Sequence, residues 1–426
     1  MALYLKNATF VDWKTMEVIL TDIRVNEGVD GSIEFIDNSE GDSPGNKDEV
    51  IDCSGKIVTK SFVVGHHHVY SGLAMGMPAP KKAPKDFREI LQYIWWTLDK
   101  SLDKDTIEAS ALATAMACAK AGSTFAIDHH ASPNFINGSL QIIADAFDRV
   151  GVSHLLAYEI TDRDGLNKAD QGLVETERYL SRNQGLVGMH ASFTIGNDTM
   201  QKAAELMRKL DSGFHIHVAE DYYDQLHCEE EHGKRVVERL SDFGVLESSK
   251  TILVHGLHLN DNERKLIADS KVWIAENKES NMNNNVGQFN GSGLGPNIML
   301  GTDGMHSDML QSAKSAFFAG QGVDNIDFMS TYTRFRNAHN YLSVNKFKGD
   351  GENNLVILDY DGPTALRTDN FLGHFIFGIK SCHVQHVISD GKLIVKDRQM
   401  QTVDEQEVLD FTRKQSMRLW EEMKKQ

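Results

Sequence analysis

The chain has no apolar stretch approaching about 18 residues, the length that spans a bilayer, so no membrane-crossing helix is expected. Its start, MALYLKNATFVDW, lacks the basic opening, apolar core and small-residue cleavage site of an export signal. Cysteine is scarce. Cys53, Cys118, Cys228 and Cys382 form no CxxC pair, which argues against a disulfide framework or zinc ribbon and for buried thiols in a reducing compartment. Positive charge is also short: 44 Lys and Arg against 61 Asp and Glu leave a formal charge of −17. With no basic stripe to neutralise phosphates, nucleic acid and anionic membranes are excluded as partners. A cytoplasmic protein acting on a small molecule is the expectation, and a homo-oligomer stays open.

Several motifs are absent too. HCEEEH at 227–232 is not HExxH, and its charges read as a solvated helix start. GSGLG at 291–295 runs into Pro296 with no helical pattern after it, so it makes a poor phosphate loop. The HxE…PCxxC pattern of zinc enzymes that act on flipped bases does not occur.

What the chain does have is an ordered set of metal-liking side chains, each at the end of a short apolar run. SFVVGHHHVYSG carries His66 and His68, GFHIHVAED carries His217 and Glu220, TILVHGLHLND carries His255, and NIMLGTDGMHSD carries Asp303. On a strand, side chains alternate faces, so His66 and His68 point the same way and can share one ion, while His67 points opposite. His215 and His217 share a face likewise. Each signal has a plainer alternative: a chance His-rich turn, a buried histidine bonded to a carbonyl, or an Asp capping the next helix. Four of them in barrel order point to a metal-dependent hydrolase.

Short apolar runs near 61–68, 123–129, 153–160, 185–194, 213–219, 250–256, 271–276 and 297–302 alternate with helical patterns. In NDTMQKAAELMRKLDSG, Asn197 or Asp198 caps a helix whose stripe is Met200, Ala203, Met207 and Leu210, with Gly213 beyond its end. Eight such units imply a TIM-like (β/α)8 barrel, whose chemistry lies at the carboxyl ends of its strands. The 426 residues, 41% of them hydrophobic, suffice for a barrel and a smaller domain. Residues 2–37 and 354–397 read as alternating strands, with a hairpin turn at Asp390-Gly391. They are expected to pair into one composite β-sandwich. The expected division is 1–59 and 353–403 for the sandwich, 60–352 for the barrel and 404–426 for a terminal helix, with Val408, Phe411, Trp420 and Met423 inward.

Together with HHHVYSGLAMGM, IDHHASPNFINGSL, YEITDRDG, MHASFTI, HIHVAE, SNMNNNVG and LGTDGMHSDM, these features resemble the amidohydrolase superfamily over essentially the whole chain. Within it the chain is similar to the cytosine deaminase/chlorohydrolase-type branch and its SsnA-like aminohydrolases. The resemblance implies that His66, His68, His217 and Asp303 bind one divalent metal ion, zinc first and Fe(II) as the alternative. It implies that Asp303 takes a proton from the metal-bound water, that His255 holds the hydroxide or developing oxyanion, and that Glu220 passes the proton to a substrate ring nitrogen. It also places His190 against the substrate. Two-metal relatives bridge their ions with a carboxylated lysine ending strand four, and GLVGMHASFTI has none, so a single ion is favoured.

Lys60-Ser61 stands where the family usually has Pro-Gly, Lys278 where proline is common and Met75 where arginine is frequent. The two lysines read as structural variations, and the loss of an arginine removes grounds for an anion contact. The activity implied is hydrolytic deamination of a purine, pterin or pyrimidine-class ring; the alternative is hydrolysis of another C–N or C–Cl bond on such a ring. A non-catalytic metal-binding protein would have no need of Glu220 and His255. Spacing leaves Asp128, His129 and His130, and likewise Tyr158 and Glu159, open between pocket and structure. Trp95 and Trp96 are expected to pack a helix rather than cover the cleft.

Overall fold

Two hydrophobic patterns in the chain build two sheets. The computed structural model describes residues 3–36, 44–45 and 48–426, so the predicted strand ends at positions 2 and 37 lie outside it. The first strands are β1 (Leu3–Val11), β2 (Val18–Val25), β3 (Ile33–Ile36), β4 (Glu49–Asp52) and β5 (Ile57–Lys60). The apolar runs then form β6 (Phe62–His67), β7 (Ser123–His130), β8 (Ser153–Tyr158), β9 (Gly185–Ala191), β10 (Phe214–Val218), β11 (Ile252–His255), β12 (Trp273–Glu276) and β13 (Ile298–Leu300). The chain ends with β14 (Leu355–Leu358), β15 (Val384–Ser389), β16 (Lys392–Lys396) and β17 (Gln399–Met400).

Strands β6 to β13 pair in chain order, each parallel to the next, with helices between them. They are buried almost throughout, the signature of parallel strands covered on both faces. Val63, Phe125, Ile127, Leu155, Ile252, Val254 and Met299 form one cluster, joined by Tyr341 and Leu342 from helix Phe328–Val344. Their neighbours Val64, Ala126, Leu156 and Leu253 belong to a second, larger cluster with the helices. The barrel closes where the His66 carbonyl accepts the N–H groups of Thr302 (3.0 Å) and Asp303 (3.1 Å). Gly301 permits that approach, since a Cβ there would lie 2.3 Å from Asn277 Oδ1 and 2.8 Å from His66 Cβ.

The chain ends build the other sheet, in the order β17-β16-β15-β14-β5-β1-β2-β3, with β4 also pairing β1. β1 is bulged between Leu5 and Ala8, and takes β4 on one side of the bulge and β5 on the other. Leu5, Phe10, Ile23, Val58, Ile357 and Ile388 fill its core. Asp390 (φ 49°) and Gly391 (φ 77°) make the predicted two-residue hairpin turn.

Three details depart from expectation. Helix Asn197–Lys209 is preceded by Gly196 at its cap, so neither Asn197 nor Asp198 caps it. The charges of 227–232 end helix Tyr222–His232 instead of starting one. Cys382 is exposed on the turn Ser381–His383, while Cys53, Cys118 and Cys228 are buried as expected. Among the described residues no helix is long and apolar enough to cross a membrane.

Candidate active site

The ends of β6, β10, β11 and β13 bring their polar side chains to one point. His68 Nε2 lies 3.1 Å from His217 Nε2 and 3.2 Å from Asp303 Oδ1, and His66 Nε2 is 3.9 Å from the same oxygen. Each ring is held from behind: His68 Nδ1 by the His129 carbonyl (2.7 Å), His217 Nδ1 by the His190 carbonyl (2.8 Å) and His66 Nδ1 by His215 Nε2 (2.8 Å). A ring that donates from Nδ1 to a carbonyl carries its lone pair on Nε2. When both rings are neutral, as metal ligands must be, His68 and His217 therefore point two lone pairs at each other, and the buried Nε2 of His66 has no hydrogen-bond partner. The ligand atoms of His66, His68 and His217 lie within 4.8 Å of one another, as do those of His66, His255 and Asp303, and imidazole nitrogens and a carboxylate so gathered fit a divalent cation of zinc or Fe(II) type. His67 turns away toward Ser307 Oγ (3.2 Å), as the strand alternation requires.

Backbone strain gathers at the same rim. Ala219 (φ 47°), His255 (φ 74°) and Asp303 (φ 54°) all adopt left-handed conformations where their strands turn into loops. Asp224 steadies one of these turns by accepting the N–H groups of Ala219 (2.9 Å) and Phe193 (3.1 Å). The Ala219 turn leads into Glu220, whose Oε2 stands 3.3 Å from His255 Nε2 and whose Oε1 accepts Asn284 Nδ2 (3.4 Å). Burial, and then the negative charge of Asp303, push the Glu220 carboxyl well above its ordinary range, which favours the protonated acid. Burial opposes charge on Asp303 as well, but the imidazoles of His68, His255 and His217 around it outweigh this and hold the carboxyl far below its ordinary range, as carboxylate.

Above this floor lies a pocket enclosing about 780 Å³ of empty space, solvent at its mouth included. His190 lines it and bonds Thr194 Oγ1 through Nδ1 (2.8 Å); burial lowers its imidazole to about 3, so it is neutral. Trp95 and Trp96 line it too, which corrects the expectation that they only pack a helix. Trp95 ends one π-type turn, Leu91–Trp95, an irregularity that helical periodicity does not reveal. The Trp96 ring stands 6.1 Å from His190 and 5.1 Å from the Arg163 guanidinium.

Arg163 was not anticipated. It is the sole Arg or Lys among the described residues lining the pocket, and it is bound by Glu159 (2.7 Å), Asp164 (3.2 Å) and Asp99. Glu159 thus belongs to the pocket wall, while Tyr158 and the sequence Asp128-His129-His130 stand outside the lining. Asp128 accepts Val69 N–H (2.7 Å), His130 meets Ser132 (2.9 Å), and His129 Nε2 donates to the carbonyls of Met189 and His215 (3.1 Å each). Met75 is exposed and outside the lining. Lys60 and Lys278 are buried on main-chain carbonyls, of Asp350 (2.9 Å) and Phe289 (3.2 Å), away from the cluster. Asn281 and Asn284 were missed as well; the asparagine-rich SNMNNN just past β12 was their only mark in the sequence.

A family pattern described as "Amidohydrolase family" matches residues 57–394. A 5'-deoxyadenosine deaminase of Methanopyrus kandleri is 25% identical over 431 residues, 93% of this chain and 95% of that one. Among solved structures, an adenosine deaminase from Xanthomonas campestris with bound zinc superposes with a TM-score of 0.81 at 18% identity, covering 98% of each chain. Atrazine chlorohydrolase TrzN from Arthrobacter aurescens TC1, complexed with zinc, does so with 0.81 at 15%, covering 97% of this chain and all of that one.

Proposed function

Since the chain belongs to the amidohydrolase family, we propose that it is a metal-dependent aminohydrolase that removes the amino group of a nitrogen heterocycle of the purine, pterin or pyrimidine class. The observation that carries this reading is the Glu220 carboxyl, buried beside His255 and the cluster of His66, His68, His217 and Asp303 yet outside the trios fit for an ion. Those four residues would hold one divalent ion, zinc or Fe(II). When bound, such an ion lowers the pKa of water from about 15.7 to about 7 and so makes hydroxide available at neutral pH.

The chain's own groups then divide the work. Asp303 Oδ1 faces the histidines, leaving Oδ2, 3.7 Å from His255, to take the proton of the attacking water. His255 steadies the oxygen as it bonds to the ring carbon. Glu220 gives its proton to the adjacent ring nitrogen, is reprotonated by the first water proton by way of Asp303, and protonates the departing amine; the C–N bond breaks, ammonia leaves, and the second water proton returns to Glu220 as the ring C=O forms. His190 and Trp96 orient the ring from the wall. Because three carboxyl groups engage Arg163, no Arg or Lys among the described residues lining the pocket is left free for a phosphate or carboxylate, which favours an uncharged substrate.

A relative by fold that acts on atrazine keeps hydrolysis of a ring C–Cl bond as the second reading, since the same activated water serves both. The test is release of ammonia or chloride from a panel of amino- and chloro-heterocycles by zinc- or Fe(II)-loaded protein. Ammonia from uncharged amino-heterocycles is expected. Chloride alone moves the second reading ahead, and neither product rejects both.

A further inference from the structure

His255 is held differently from its neighbours. Nδ1 of His68 and of His217 each meets a carbonyl oxygen, so those rings keep the lone pair on Nε2. Nδ1 of His255 instead meets the side-chain Nδ2 of Asn281 at 2.8 Å, and its Nε2 faces two carboxyl oxygens, Glu220 Oε2 at 3.3 Å and Asp303 Oδ2 at 3.7 Å. A lone pair on Nδ1 receives the Asn281 N–H, and the proton then on Nε2 faces the Asp303 carboxylate. The opposite tautomer sets N–H against N–H at Asn281 and a lone pair toward that carboxylate. Flipping the Asn281 amide would call the proton to Nδ1 and leave the same lone pair toward Asp303. Asn281 is itself fixed, fully buried on the short helix Lys278–Asn283, its N–H on the Asn277 carbonyl (3.1 Å) and its own carbonyl on Val286 N–H (3.2 Å).

We propose that Asn281 is a positioning residue that locks His255 as the neutral Nε2–H tautomer. His255 then acts only as a hydrogen-bond donor toward the reacting oxygen, and its Nε2 is withheld from any second metal ion. The missing strand-four lysine and Asn281 work to the same end, a site for one ion. This rests on reading the histidine cluster as the metal-dependent site.

The test is ¹⁵N NMR of histidine-labelled protein, metal-free and zinc-loaded, with the His255 signal identified by its absence from His255→Asn. In the wild type, Nε2 protonated and Nδ1 unprotonated is expected. Asn281→Asp replaces the donor with an acceptor and should protonate Nδ1, with turnover reduced about 10–100-fold, the usual cost of losing the partner of an active-site histidine. Asn281→Leu, which removes the bond without reversing it, should show both tautomers and guards against an Asp variant that fails to fold. A wild-type His255 protonated at Nδ1, or an Nδ1 that stays unprotonated in folded Asn281→Asp, overturns the proposal. An Asn281-dependent Nε2–H signature in a protein that consumes no heterocycle upholds it and rejects the functional reading instead.

Discussion

The floor and the wall of the pocket are built in different ways. The floor comes from strand ends: His66 on β6 and His68 just past it, His217 on β10, His255 on β11 and Asp303 just past β13, with three backbones turned into left-handed conformations to present Glu220, His255 and Asp303. The wall comes from loops and helices: Trp95 and Trp96 on an irregular helix, Glu159 and Arg163 beyond β8, and Asn284 beyond β12. The floor concentrates donor atoms whose lone pairs call for a cation, whereas the wall has paired its charge internally, Arg163 with three carboxylates. On the proposed function, chemistry belongs to the floor and shape to the wall.

The largest expected effect comes from breaking the floor. His66→Ala with His68→Ala, and separately His217→Ala, should abolish tight zinc binding and ammonia release together, as read by elemental analysis and assay. Zinc that vanishes with His217→Ala but survives the paired change means the ligand set is wrong. Next comes Glu220→Gln, which keeps shape but cannot carry a proton. Metal content should stay full while turnover drops by at least about a hundredfold, within the range general acid–base catalysis supplies.

Those predictions concern residues that were legible before the fold was known, for a physical reason. A strand repeats every two residues and a barrel delivers its strand ends in chain order, so His66, His68, His217, Glu220, His255 and Asp303 can be read off apolar runs. The eight strands and the hairpin at Asp390-Gly391 were legible for similar reasons of period and turn chemistry. The wall was not. A π-type turn shifts Trp95 and Trp96 off the helical period, and Arg163 meets Asp99 across 64 positions of sequence, a pairing no local pattern encodes. Gly196 capping a helix in place of Asn197 shows the same limit at one residue.

Breaking the wall should therefore cost stability before chemistry. Arg163→Met leaves the carboxylates of Asp99 and Glu159 buried without their cation. Denaturant unfolding should show a loss of about 3–5 kcal/mol, the cost of orphaning a buried ion pair, with zinc content unchanged. Metal loss in that variant would erase the distinction between floor and wall. The smallest effect is expected from His190→Asn, whose backbone carbonyl still holds His217. Turnover should weaken by about tenfold at full metal occupancy, because the substrate ring then has one group fewer to orient it. Departure of zinc from this variant would move His190 into the floor and reopen a two-metal site.

The central claim, that the floor holds one ion and this ion powers deamination, is tested most directly by titrating zinc into metal-free protein while following ammonia release from a productive heterocycle. Activity should rise linearly and stop at one zinc per chain. A break at two, or ammonia released without any added ion, would contradict it.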